Sequence, residues 1–211
     1  MPTRTEKARA TRRRVLDAAC QLFTERGYGA TSVRRIAAAA GVAEQTVYFT
    51  FGTKAAVLAG VLDVAVAGDD ADVPTLERPW ARAVLAEPDP RRQLHLQAAG
   101  AADVLARVAG SLQVLRAAAD ADPAAAELLT RNEAQQRTVQ RAFLAALAGK
   151  ATLRRDLDRA VDVATTVLSD HSWRRLAAAG WSGPDWVGLS AGVLAADLLG
   201  TPPGTSPRTP G

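Results

Sequence analysis

"GVAEQTVYFTFGTK", residues 41–54, decides how this chain reads. Its β-branched and aromatic residues stand in a row, as in a strand, inside a sequence dominated by alanine, leucine and arginine. The flanks argue against a strand. Before it, "SVRRIAAAA" (residues 32–40) turns Val33, Ile36 and Ala37 to one side, the period of a helix of about two turns. Gly41 ends that helix, and Thr31 offers it an N-cap. After it, Thr53 is placed to cap "KAAVLAGVLDVAVAG", with Val57, Leu58, Val61 and Leu62 on one face. Between the two glycine-marked ends the spacing leaves room for a third short helix, roughly Ala43 to Phe49.

The same period extends in both directions. Upstream, Val15, Ala18, Ala19, Leu22 and Phe23 form an apolar stripe that Gly27 is expected to end. Downstream, residues 68–90 are turn-rich, with one short helix expected around Trp80 to Ala86. A long helical region follows from "RRQLHLQAAG", and Pro123 starts another helix that ends near Gly149. Three more are expected, in "LRRDLDRAVDVATTVLSD", "HSWRRLAAAG" and "SGPDWVGLSAGVLAADLLG", the last with Pro184 near its first turn. The tail "TPPGTSPRTPG" (residues 201–211) has a disordered composition. No alternating strand pattern and no internal repeat stands out. The expectation is an all-α protein of nine or ten helices.

Two short helices joined by a tight glycine turn make a helix-turn-helix, whose second helix enters the DNA major groove. Glu44, Gln45 and Thr46 open that helix, where base edges are met, and Val47 is expected to turn inward. Tyr48, Thr50 and Lys54 supply donors suited to phosphate oxygens, Lys54 in the first turn of the next helix. Charge agrees. Residues 1–54 carry ten Lys/Arg and four Asp/Glu, net +6, against sixteen and eighteen, net −2, in residues 55–211. A basic head on a slightly acidic body suits a polyanion partner.

Together, F-x-E-R-G-Y-x-x-T-S-V-R-x-I-A, then A-G-V, then T-V-Y-F-x-F-x-x-K resemble, without gaps over about residues 12–62, the DNA-binding domain of the TetR (tetracycline-repressor) family of transcription regulators. The resemblance implies three N-terminal helices that read DNA, a connecting fourth helix and a C-terminal helical ligand and dimer domain. The expected divisions are residues 1–54, 55–200 and the tail. It places Ser32 and Arg34 near phosphates, Glu44, Gln45 and Thr46 at base-facing positions, Tyr48, Phe49 and Thr50 at an aromatic-aromatic-polar triplet, and Lys54 at the phosphate-binding lysine. The chain departs from the family pattern at Ala43, where a capping Ser or Thr is common, at Phe49 for a frequent Tyr, and at Thr50 for a frequent His. Gln45 is suited to adenine N6 and N7. Glu44 either accepts from cytosine N4 or stabilises the helix N-terminus. Arg4, Lys7, Arg9, Arg12, Arg13 and Arg14 form either an arm for the minor groove or a solvated tail.

In the C-terminal part, Asn132 and Gln135 interrupt the expected stripe Leu128, Val139, Phe143, and His95 borders the Leu94, Ala98, Leu105 stripe. Polar groups on core faces need partners, and a small molecule in an apolar pocket is one, with Trp80, His171 and Trp173 as further lining candidates. The other reading of each is a satisfied core polar or a surface group. By the resemblance, residues 157–169 and 184–199 pair with their copies in a four-helix dimer interface, and two heads then face a palindromic operator.

Other classes find little support. Neither the two histidines nor the single Cys20 forms a zinc motif, and no phosphate-binding loop or dinucleotide fingerprint occurs. No enzyme activity, cofactor or metal is expected. One cysteine allows no intramolecular disulfide, which suits a reducing cytoplasm. Neither a secretory signal nor a run of about 18 apolar residues is evident. The expectation is a homodimeric, effector-responsive DNA-binding regulator, most simply a repressor. The alternative is a helical binding protein that keeps the fold without specific DNA readout.

Overall fold

The computed structural model describes residues 3–69 and 73–200, so the 201–211 tail expectation lies outside it. Ten α-helices and one 3-10 turn make up the described chain, with one isolated bridge, Leu153 to Leu199, and no strand among the described residues. The fold is all-α. The helices are α1 (Arg4–Ala30), α2 (Val33–Ala40), α3 (Glu44–Phe51), α4 (Lys54–Ala67), α5 (Pro79–Ala86), α6 (Pro90–Ala119), α7 (Pro123–Ala148), α8 (Leu157–Val167), α9 (Asp170–Ala178) and α10 (Gly183–Leu198). Two compact units partition the chain. The first holds Met1–Thr75 with Asp103–Gln136, the second Leu76–Ala102 with Arg137–Gly211.

In the first unit, α1 begins well before the expected stripe. Thr3 accepts from the Glu6 N–H at 3.2 Å while Glu6 accepts from the Thr3 N–H at 2.6 Å, a capping box that satisfies two otherwise orphan donors. Arg4, Lys7, Arg9, Arg12, Arg13 and Arg14 thus lie on helix. Arg12 rests on the Phe51 ring at 4.9 Å, and Arg13 pairs with Asp17 at 3.0 Å. Gly27 breaks α1 at φ 77° and ψ 164°, after which a last turn reaches Ala30. A residue with a Cβ is strained there.

The cap of α2 is one residue later than expected. Ser32, not Thr31, accepts from the Arg35 N–H at 3.2 Å. Thr31 is buried and its hydroxyl lies within reach of the carbonyls of Gly27 at 2.8 Å and Leu22 at 3.2 Å, closing the break in α1. Val15, Leu16, Ala19, Phe23, Ile36, Val47, Val57, Leu58 and Leu62 fill the core of this unit. From α6, Arg107 donates to the last carbonyls of α4, Ala65 at 3.0 Å and Val66 at 3.2 Å. Those carbonyls have no partner within the helix, and a cation there also suits the helix dipole.

In the second unit, Ala81, Val84 and Phe143 form a cluster with Trp80, Leu85, Leu96 and Val139 around it. Trp80 and Phe143 pack with centroids 5.8 Å apart. Gly100 makes that packing possible, because a Cβ on it would lie 2.3 Å from the Trp80 ring. On α8 and α10, Ala160, Val161, Ala164, Trp186, Leu194 and Leu198 are buried. Arg155 holds Asp197 through two hydrogen bonds, one at 2.6 Å, and the guanidinium keeps that carboxyl below its ordinary range. Helix α6 has the length and composition of a membrane span in one window, but half of that window is buried inside the protein.

Candidate nucleic-acid interface

Helix α3 buries one side chain fully and packs a second, Phe51, at its end. Val47 is 1% exposed, and no other residue of α3 is buried. At about 100° per residue, Gln45 and Phe49 both lie opposite Val47, one turn apart. Glu44 and Tyr48 fall to one side of them, Thr46 and Thr50 to the other. Phe49 is 93% exposed and Tyr48 49%. The outer face of α3 is therefore a polar residue, a bare aromatic ring and two flanks of hydroxyls, with a carboxylate at one corner.

The N-terminus of α3 is bare as well. Ala43 stands at the cap with no side-chain hydrogen bond, and Glu44 is in the first turn. Gly41, in the left-handed region at φ 65°, turns the chain from α2 into this segment. The Thr50 hydroxyl donates to the Thr46 carbonyl at 2.8 Å, so its proton is already engaged within α3, while its lone pairs still accept. Arg34 is exposed in the first turn of α2, next to the cap Ser32.

Lys54 differs from a free phosphate-binding lysine. Its Nζ donates to the Tyr28 carbonyl at 2.9 Å and sits 4.0 Å from the Tyr28 ring centroid. Two further donor positions on the ammonium remain for an anion. The Tyr28 hydroxyl donates to Asp122, which also accepts from the Ala124 N–H at 2.9 Å at the start of α7. Burial, then this carboxylate, raise the Tyr28 phenol above its ordinary value, and the same hydrogen bond lowers Asp122. Sequence reasoning did not reach the Tyr28–Asp122 contact, which joins residues far apart in the chain.

The six small-molecule candidates divide between the two units. Asn132 and Gln135 belong to the first unit, and Trp80, His95, His171 and Trp173 to the second. His95, His171 and Gln135 are exposed, and Asn132 is half-buried. Between Leu128 and Val139 no residue of α7 is buried, and of the two polar candidates Asn132 lies on its partly buried stripe and Gln135 off it. Trp173 packs edge-on against Trp186 at 5.3 Å, whose indole N–H reaches Ser172 at 3.3 Å. Trp80 belongs to the Phe143 cluster.

The buried polar groups lie elsewhere in the second unit. Gln93 is fully buried and donates to the Phe143 carbonyl at 2.8 Å. Lys150 donates to Gln93 Oε1 and to the Leu85 carbonyl, each at 2.8 Å. Gln97, 1% exposed, donates to Gln140 Oε1, but its own Oε1 has no hydrogen-bond partner. The glutamines on α6 are one turn apart, which is a signal in the sequence, but nothing local marks them as inward.

Residues 15–61 match the model of the bacterial regulatory proteins of the tetR family. Among solved structures, the chain is similar to NalD, the secondary repressor of the MexAB-OprM multidrug efflux pump in Pseudomonas aeruginosa, with 21% identity and a TM-score of 0.69 over 91% of this chain and 98% of that one. It is also similar to a TetR-like transcriptional regulator from Rhodococcus sp. RHA1, with 18% identity and a TM-score of 0.60 over 92% of this chain and 96% of that one. At these identities the likeness is one of fold. No curated protein matches the sequence.

Proposed function

We propose, on the match of residues 15–61 to the model of the tetR family of bacterial regulatory proteins, that the chain is a homodimeric, effector-responsive repressor of that family that reads a palindromic operator from the cytoplasm. The observation that carries the DNA reading is the outer face of α3. Gln45 and Phe49 stand opposite the buried Val47, on a head whose first 54 residues carry net charge +6. Ser32, Arg34, Ala43, Glu44, Gln45, Thr46, Tyr48, Phe49, Thr50 and Lys54 are the contact set, with Gln45 on an adenine and Lys54 sharing its ammonium between Tyr28 and a phosphate.

The dimer reading rests on α10. Gly188, Leu189, Gly192 and Val193 form an exposed stripe one side chain wide, and Leu189 and Val193 are each about two-fifths exposed. A Cβ on either glycine would touch nothing, so the stripe is open to another helix. The domain reading, a DNA-binding head over residues 1–54 and an effector and dimer part over 55–200, follows the same division of labour. For the effector, the unpartnered Gln97 Oε1 supports a ligand that presents a hydrogen-bond donor, with Trp80 and Gln140 as neighbours in its unit. His95, His171 and Trp173 stay in the reading as further contacts within that unit, and Asn132 and Gln135 as separate candidates in the first.

Selection of duplexes from random DNA by the purified full chain tests the function. The expected product is a palindrome with half-sites about one helical turn apart, or a multiple of it, and an affinity that falls steeply with salt. A monomer in solution that enriches no sequence would overturn the reading in favour of a binding protein that has kept the fold alone.

A further inference from the structure

We infer that Phe49 is a specificity residue: its ring reads the C5-methyl group of a thymine in the major groove, about one or two base pairs from the pair read by Gln45. The inference rests on the DNA reading above. It starts from the most exposed large apolar side chain of the described chain, 93% accessible on a helix of eight residues. Phenylalanine has neither donor nor acceptor, so it cannot bind phosphate or pair with a base edge. The one apolar feature that a major groove offers is the thymine methyl.

Position agrees with chemistry. Phe49 is opposite Val47 and one turn after Gln45, so the two residues that project furthest from the core lie along one line. A helical turn of about 5.4 Å covers between one and two base-pair steps of about 3.4 Å. The setting is wrong for a protein partner. Among the described residues the large exposed apolar side chains of the head are Tyr48 and Phe49 alone, too small a patch for a protein interface, and the surrounding charge is positive. A polyanion with a methyl group in its groove fits both facts.

The test uses the operator selected by the wild-type chain. Each thymine is replaced by uracil in both half-sites, and binding is followed by fluorescence anisotropy. One position should respond, with a loss of about fourfold for each methyl and roughly fifteenfold for the pair. Phe49→Ala should bind the thymine and uracil operators alike, and Phe49→Leu should keep the preference. At the responding position, cytosine in place of thymine should weaken wild-type binding, and 5-methylcytosine should recover part of it. Insensitivity of the wild type to every uracil overturns the inference, and so does a Phe49→Ala variant that still prefers thymine. The operator is bound in both those cases, and the DNA reading survives. A wild-type chain that selects no operator removes both.

Discussion

The head and the second unit handle the same residue types in opposite ways. In the head, Gln45 and Phe49 stand in solvent and the core is apolar but for Thr31. In the second unit, Gln93, Gln97 and Gln140 are inside, beside a buried Phe143. The difference shows where each region can vary. The outer face of α3 carries no packing, so it can change without cost to the fold. The buried glutamines carry packing and hydrogen bonds together, so each change there alters stability, function or both.

The two phenylalanines give the widest contrast. Phe143→Ala removes a side chain that is 1% exposed and packed on Trp80, and should cost about 3–5 kcal/mol in urea unfolding. Phe49→Ala should stay within about 0.5 kcal/mol of the wild type in the same melt. A comparable loss at Phe49 would mean that α3 packs through its outer face, and the contrast would collapse.

The glutamines sharpen it within one unit. Gln93→Leu deprives Lys150 of an acceptor and the Phe143 carbonyl of a donor, and should cost about 1–3 kcal/mol. Gln97→Leu also removes an acceptor that has no partner, so its cost should be smaller, within about 1 kcal/mol. Thermal melts of the two variants decide the order. Equal losses would show that Gln97 Oε1 is satisfied and is not a vacant ligand position.

Much of this was legible in advance. Gly41, Val47 and the Thr53 cap follow from one-dimensional rules, because turn glycines, caps and a 3.6-residue period are local. Two local signals are easily passed over. Thr3 and Glu6 spell a capping box, and it starts α1 ahead of the apolar stripe. Thr31 and Ser32 are both capable caps, and only the break at Gly27 decides that Thr31 turns back to close it. The buried glutamines belong to another class. Gln97 meets Gln140 across 43 residues of sequence, and periodicity cannot tell which polar residue of a long helix faces in. The pattern put the interruption of α7 at Asn132 and Gln135, whereas the buried polar residue is Gln140.

A smaller effect is expected where the head is under-capped. Ala43→Ser gives α3 a side-chain acceptor for its first-turn N–H groups and should add about 1 kcal/mol to the head's stability. Hydrogen exchange of the α3 amides measures it locally. If protection does not rise, Glu44 already stabilises that helix end, and a role for it in reading cytosine weakens accordingly.

The smallest effect probes the polar contact that the first unit does keep. Tyr28→Phe deletes the hydroxyl that lowers Asp122 and leaves the ring under Lys54 in place. The signs follow from the two shifts. Asp122 has a folded value below its unfolded one, so its contribution is present above the ordinary carboxylate range and is lost as pH falls through the lowered value. Tyr28 has a folded value above its unfolded one, so its contribution is present below about pH 10 and is lost as pH rises beyond that. The wild type should therefore exceed Tyr28→Phe by a constant margin from about pH 5 to pH 9, and the two urea midpoints should converge at either extreme. A margin that persists at pH 2 would assign the effect to packing of the phenol and not to its hydrogen bond with Asp122.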